Sequence, residues 1–191
     1  MILDARSSDL FTEMVHIGVG YSAGILQSML DSHIQLRIPR VELVRAEDLP
    51  QHLGLPVTSV QMGFSGFLMG DALMIFPRQA ARHLAALLNQ ESPESADLDF
   101  LCSSTLSEVG NLVLNGIVGS ISNLLNLQLD YQVPRYAELP LQEWLGRRSA
   151  ELAGILLVRA TISVEDHPIE GEFLFCLDSG SAHEFLERLK N

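Results

Sequence analysis

Cysteine is nearly absent from this chain: Cys102 and Cys176 are the only two in 191 residues, far apart and each inside an apolar segment. That excludes a disulfide framework and any Cys-x-x-Cys redox or zinc motif, and it fits reduced thiols in a core. Basic residues are scarce as well. Twelve Lys and Arg face 24 Asp and Glu, giving a net charge of -12 that no local Lys/Arg cluster offsets. Such a balance repels phosphate backbones and anionic lipid, which excludes nucleic acid as a partner. A signal peptide is also lacking, because Asp4, Arg6 and Asp9 interrupt the first residues where a basic start and an apolar run would stand. The expected location is the cytoplasm.

Charge is missing altogether from Val109 to Leu129, a run long enough to cross a bilayer. Asn111, Asn115, Ser120, Ser122, Asn123, Asn126 and Gln128 would then carry polar groups into lipid. The run reads as a buried amphipathic helix, without membrane insertion. Metal-ligand spacing is lacking too. Glu13-x-x-His16 is half of a carboxylate-bridged di-iron pattern with no second half, and His33, His52, His83, His167 and His183 are scattered, so no metal is expected. Gly18 to Gly24 has neither a preceding apolar strand nor a following Lys, and reads as close helix packing rather than a phosphate loop; Gly110, Gly116 and Gly119 read the same way.

What is present is enough apolar side chain for one full core: 47% of residues are hydrophobic and the mean hydropathy is +0.21. It is arranged as a repeat. Sliding the chain by 95 positions lays Asp9, Glu13, His16, Pro39 and Arg40 on Ser104, Glu108, Asn111, Pro134 and Arg135. Leu26 then meets Ile121, Ile34 meets Leu129, and Ile38 meets Val133. At a slightly larger shift, Gly70 to Met74 meets Gly171 to Phe175, and Ala81 to Leu88 meets Ala182 to Leu189.

Each half starts with a helix-periodic run, Asp9 to Leu30 and Asp99 to Leu127. Strand candidates follow at 34–38, 57–67 and 72–76, then a helix at 78–89; the second half has strands at 129–133, 153–164 and 173–177 and a helix from Ser181. The fold class implied is α+β (α/β): two pseudo-symmetric helix-strand-strand-strand-helix halves, forming one roughly six-stranded sheet with long helices packed on it. The whole chain, 1–191, reads as a single domain with repeats 1–90 and 97–191 joined by a short polar linker at 91–96.

The chemistry is concentrated in Ser104, Glu108 and Asn111, whose offsets of four and three put them on one face of a helix. Asn115 and Asn123, in the same apolar run, read as ordinary satisfied polar residues. The pattern D/S-x3-E-x2-N-x22-P occurs twice, complete as Ser104, Glu108, Asn111 and Pro134, and as Asp9, Glu13, His16 and Pro39 with His in place of Asn. In this the chain resembles the CheC branch of the CheC/CheX/FliY family of CheY-phosphate phosphatases.

The resemblance implies an enzyme, a hydrolase that removes the aspartyl phosphate from a CheY-like response regulator in chemotaxis or two-component signalling. It assigns Asn111 to orienting the attacking water and Glu108 to an ion pair with the regulator's Lys. No cofactor of its own is implied, since Mg²⁺ belongs to the regulator; a CheD-like deamidase is a further candidate partner. Ser104 either holds the Glu108 carboxylate or marks the helix start, and Pro134 either props the helix or punctuates an edge strand. Imidazole differs from a carboxamide in shape and gains charge near neutral pH, so the first site, Asp9, Glu13, His16 and Pro39, reads as degenerate. The alternative function is a non-catalytic regulator-binding or flagellar/chemotaxis adaptor.

Overall fold

The structure, a computed structural model, describes residues 4–30, 33–45, 48–49, 57–92, 98–137, 143–145, 152–164 and 167–190. Its elements run α1 (Ala5–Leu30), β1 (Ile34–Val44), β2 (Val57–Gly66), β3 (Gly70–Pro77), α2 (Arg78–Asn89), α3 (Leu98–Leu124), β4 (Leu129–Tyr131), β5 (Arg135–Ala137), β6 (Leu152–Val164), β7 (His167–Asp178) and α4 (Ser179–Lys190). Of the linker expected at 91–96 only Glu91 and Ser92 are described; its other residues, like His52, lie outside the described residues.

All strand pairs are antiparallel, in the order β1-β6-β7-β3-β2-β4, with β5 also on β2. Because β4 and β5 share one side of β2, the seven strands fill six positions. The order is palindromic: exchanging β2 with β6, β3 with β7, and β1 with the β4/β5 pair reverses the list. Two copies of one unit joined edge to edge give such an order. Its centre is the β3–β7 ladder, where Leu73 stands opposite Leu174, the pair that a shift of 101 positions equates.

Alternation along the strands divides the core in two. Met62, Phe64, Ala72, Met74, Phe76, Phe173, Phe175 and Leu177 face the helices, and pack with Phe11, Met14, Val15 and Leu26 of α1 and Leu106, Val109, Val113 and Ile117 of α3. Leu73, Ile75, Ile155, Leu174 and Cys176 face the other way, onto Leu49, Trp144 and Leu145. The two cysteines form no disulfide and are buried, one in each cluster. On the helix side Phe175 stacks on Phe64 at 5.1 Å and meets Phe11 and Phe185 at 5.9 and 5.5 Å.

The helix ends follow from local chemistry. Asp4 and Asp178 each accept a backbone N–H three residues on, from Ser7 at 2.8 Å and Ser181 at 2.7 Å, and so cap α1 and α4. α3 stops where Asn126 turns left-handed at φ 52° and Leu127 N–H reaches back to the Ser122 carbonyl at 2.8 Å. α2 ends in the same way at Gln90, φ 56°.

α1 and α3 cross antiparallel at small residues. A Cβ added at Gly18 would lie 2.6 Å from the Gly116 carbonyl and the Ile117 Cα, so the two backbones meet directly. Ser22 Oγ bridges the contact, donating within α1 to Gly18 O at 2.8 Å and lying 3.0 Å from Leu112 O of α3. Close packing also holds for Gly110, set against Val60. It does not hold for Gly20, Gly24 and Gly119, which face open space.

Candidate functional site

The helices α1 to α4 each contribute buried side chains to the same cluster, so these four form one layer over one face of the sheet. Their outer faces are therefore the accessible ones. On α3, Ser104, Glu108 and Asn111 are exposed while Leu106, Val109 and Val113 point into the core. The three polar residues span about 10 Å of helix axis at about 1.5 Å per residue. On α1, Asp9, Glu13 and His16 are likewise exposed, between buried Phe11, Met14 and Val15. Each polar trio is thus a stripe on the solvent side of a long helix, and the helix crossing sets both stripes on the same surface.

That surface is acidic: α3 contains no Lys or Arg, and α1 has only Arg6. Phe100, 77% exposed, stands one turn before Ser104 on the α3 stripe. Ile17 and Tyr21, 47% and 69% exposed, project from α1. The face is therefore carboxylate, carboxamide and isolated apolar side chains.

Ser104 lies well inside α3, which starts at Leu98, so it is not a helix-start residue; its hydroxyl donates to Leu101 O at 3.0 Å. Pro134 is half-buried in the connection between β4 and β5, where the ladder on β2 breaks off at Gly66 to Phe64 and resumes at Gln61. Pro39 lies within the register shift between Arg37 and Arg40 on edge strand β1, and its side chain lies outside the described ones. Both prolines thus occur where an edge ladder is interrupted, which suits a residue with no N–H to donate.

Sequence reasoning missed one neighbour of the site. Asn115 is satisfied, as expected, but through the site itself: its Nδ2 donates to Asn111 O at 2.7 Å and to Asn111 Oδ1 at 2.8 Å. The offset of four from Asn111 was the available sign, since side chains so spaced are neighbours on a helix. Among the described residues no three His, Cys, Asp or Glu groups converge as a metal site, and no helix is long and apolar enough to cross a membrane.

No family model matches the chain. The CheY-P phosphatase CheC of Bacillus subtilis is 30% identical over 132 residues, 66% of this chain and 63% of that protein. The chain thus spans a little under two thirds of that relative's length. The putative CheY-P phosphatase CheC1 of Halobacterium salinarum is 24% identical over 139 residues, 70% of each chain.

In sequence the chain is thus similar to CheC proteins. Among solved structures, FliY of Thermotoga maritima shares the fold over 100% of this chain and 98% of its own, at a TM-score of 0.78 and 17% identity. A chain of the CheX-CheY-BeF3-Mg²⁺ complex of Borrelia burgdorferi matches over 88% of this chain and 98% of its own, at 0.55 and 17%. At these identities the likeness is one of fold. It extends to the FliM middle domain of Helicobacter pylori, at a TM-score of 0.66 and 12% identity.

Proposed function

We propose that this protein is a phosphatase that hydrolyses the aspartyl phosphate of a CheY-like response regulator in the cytoplasm. The observation that carries the reading is the exposed Glu108 and Asn111 on one face of α3, with the complete family spacing out to Pro134. Relatives named as CheY-P phosphatases, and a fold shared with a protein solved in complex with CheY, support it.

An acyl phosphate needs a water in line with the phosphorus, while the regulator's own Mg²⁺ and Lys neutralise the developing charge. The phosphatase adds orientation. Asn111 suits this because a carboxamide hydrogen-bonds a water without presenting a charge that repels or binds the phosphoryl group. Glu108, one turn away on an acidic face, pairs with the regulator's Lys and sets the docking register. Ser104 lines the same stripe, and Pro134 fixes the edge strand after the helix. On α1 the stripe ends in His16, which cannot orient water as a carboxamide does, so α3 carries turnover. A CheD-like deamidase is proposed as a second partner.

The test is phosphate loss from a CheY-like regulator after a pulse of acetyl phosphate, with wild type, Asn111→Ala and His16→Asn side by side. Acceleration by wild type but not by Asn111→Ala is the expected result. Binding without acceleration by wild type overturns the phosphatase reading in favour of an adaptor.

A further inference from the structure

Attack by water directs an oxygen lone pair at phosphorus, so its hydrogens point away and need an acceptor on the phosphatase side. The Asn111 Oδ1 is such an acceptor and has two lone pairs. One receives the N–H of Asn115 at 2.8 Å, and the second Nδ2 hydrogen is directed to the Asn111 carbonyl at 2.7 Å. The double bond from a single amide fixes the Asn111 side chain against its own helix. It also sets which end of the carboxamide is which, because the N–H of Asn115 selects oxygen over NH₂.

The first half lacks this device. Asn115 aligns with Gly20 at the shift that pairs Asn111 with His16. Gly20 is exposed, and a Cβ built there meets nothing within 4 Å. Besides Asp9 in place of Ser104, which the repeated pattern allows, the degenerate stripe therefore differs from the intact one at positions 16 and 20, one turn apart. A polar side chain at position 20 has room to occupy the place that Asn115 occupies on α3.

Building on the phosphatase reading above, we infer that Asn115 is a positioning residue for Asn111, and that the first site has lost a carboxamide pair rather than a single carboxamide. Asn115 touches no substrate. It holds the Asn111 oxygen in the orientation that accepts from the attacking water, and its loss leaves the same catalyst loosely aimed.

Three arms of one acetyl-phosphate pulse experiment test this. Asn115→Ala lowers kcat about tenfold, with KM for the phosphorylated regulator and the melting temperature unchanged, as expected when geometry is loosened without loss of docking. Asn115→Gln, which still carries a donor, recovers part of that loss. In an Asn111→Ala background, His16→Asn with Gly20→Asn restores more turnover on α1 than His16→Asn alone. Wild-type kcat in Asn115→Ala overturns the inference while leaving the phosphatase reading intact. A raised KM with a lowered melting temperature also overturns it, by making Asn115 structural. A wild type that does not accelerate dephosphorylation overturns the phosphatase reading itself, and the inference with it.

Discussion

At the scale of single residues, the exposed stripes and the buried core answer to different pressures. Asn111 and Glu108 are exposed, so Asn111→Ala should melt as wild type does; if Asn111 holds the attacking water as proposed, turnover falls at least tenfold. Phe100 stands on the same stripe with 77% of its surface exposed. If the α3 face docks the regulator, Phe100→Ala raises KM and leaves kcat alone, which steady-state kinetics separates. The glycines make a contrasting pair. A Cβ at Gly18 meets the α3 backbone at 2.6 Å, so Gly18→Ala should cost about 1–3 kcal/mol in urea unfolding. Gly20 faces open space, and Gly20→Ala should instead stabilise by up to about 1 kcal/mol through helix propensity.

At the scale of elements, the long helices were legible because apolar residues recur at helical spacing, and α2 at Arg78–Asn89 has the bounds that the spacing predicts. The strands were legible in place but not in length. β1 continues past Pro39 to Val44 because a register shift absorbs the missing N–H. A reading of alternation alone stops at Ile38. β5 is three residues whose strand character comes from pairing with β2, a contact that lies outside local sequence. The site shows the same division. Spacing places Glu108 and Asn111 on one exposed face and makes Asn115 a neighbour of Asn111, whereas which atoms bond depends on side-chain rotamers that no spacing records.

Helix ends offer a test of pH dependence. Asp4 is held below the usual carboxylate value of 3.8, chiefly by the Ser7 backbone N–H bond. A lowered folded value means that the stabilisation is complete above 3.8 and is lost as pH falls through the lower folded value. Asp4→Asn should therefore flatten the acid limb of a urea-midpoint against pH curve. At the other cap, Asp178→Ala should cost about 1 kcal/mol, read by the same unfolding assay.

At the scale of the molecule, Phe175 joins the halves: it lies on β7 and meets Phe64 of β2, Phe11 of α1 and Phe185 of α4. Phe175→Ala should cost about 3–5 kcal/mol, and single-transition unfolding by both fluorescence and circular dichroism would show that the loss is felt throughout. The palindromic sheet has a quieter consequence. Positions 9, 13 and 16, like 104, 108 and 111, are exposed, where replacement usually changes folding by no more than about 0.5 kcal/mol. Either copy of the stripe is therefore free to drift at little cost to the fold. If α3 carries turnover as proposed, the duplicated scaffold holds a spare surface on which a new specificity can be tried at no risk to the old one.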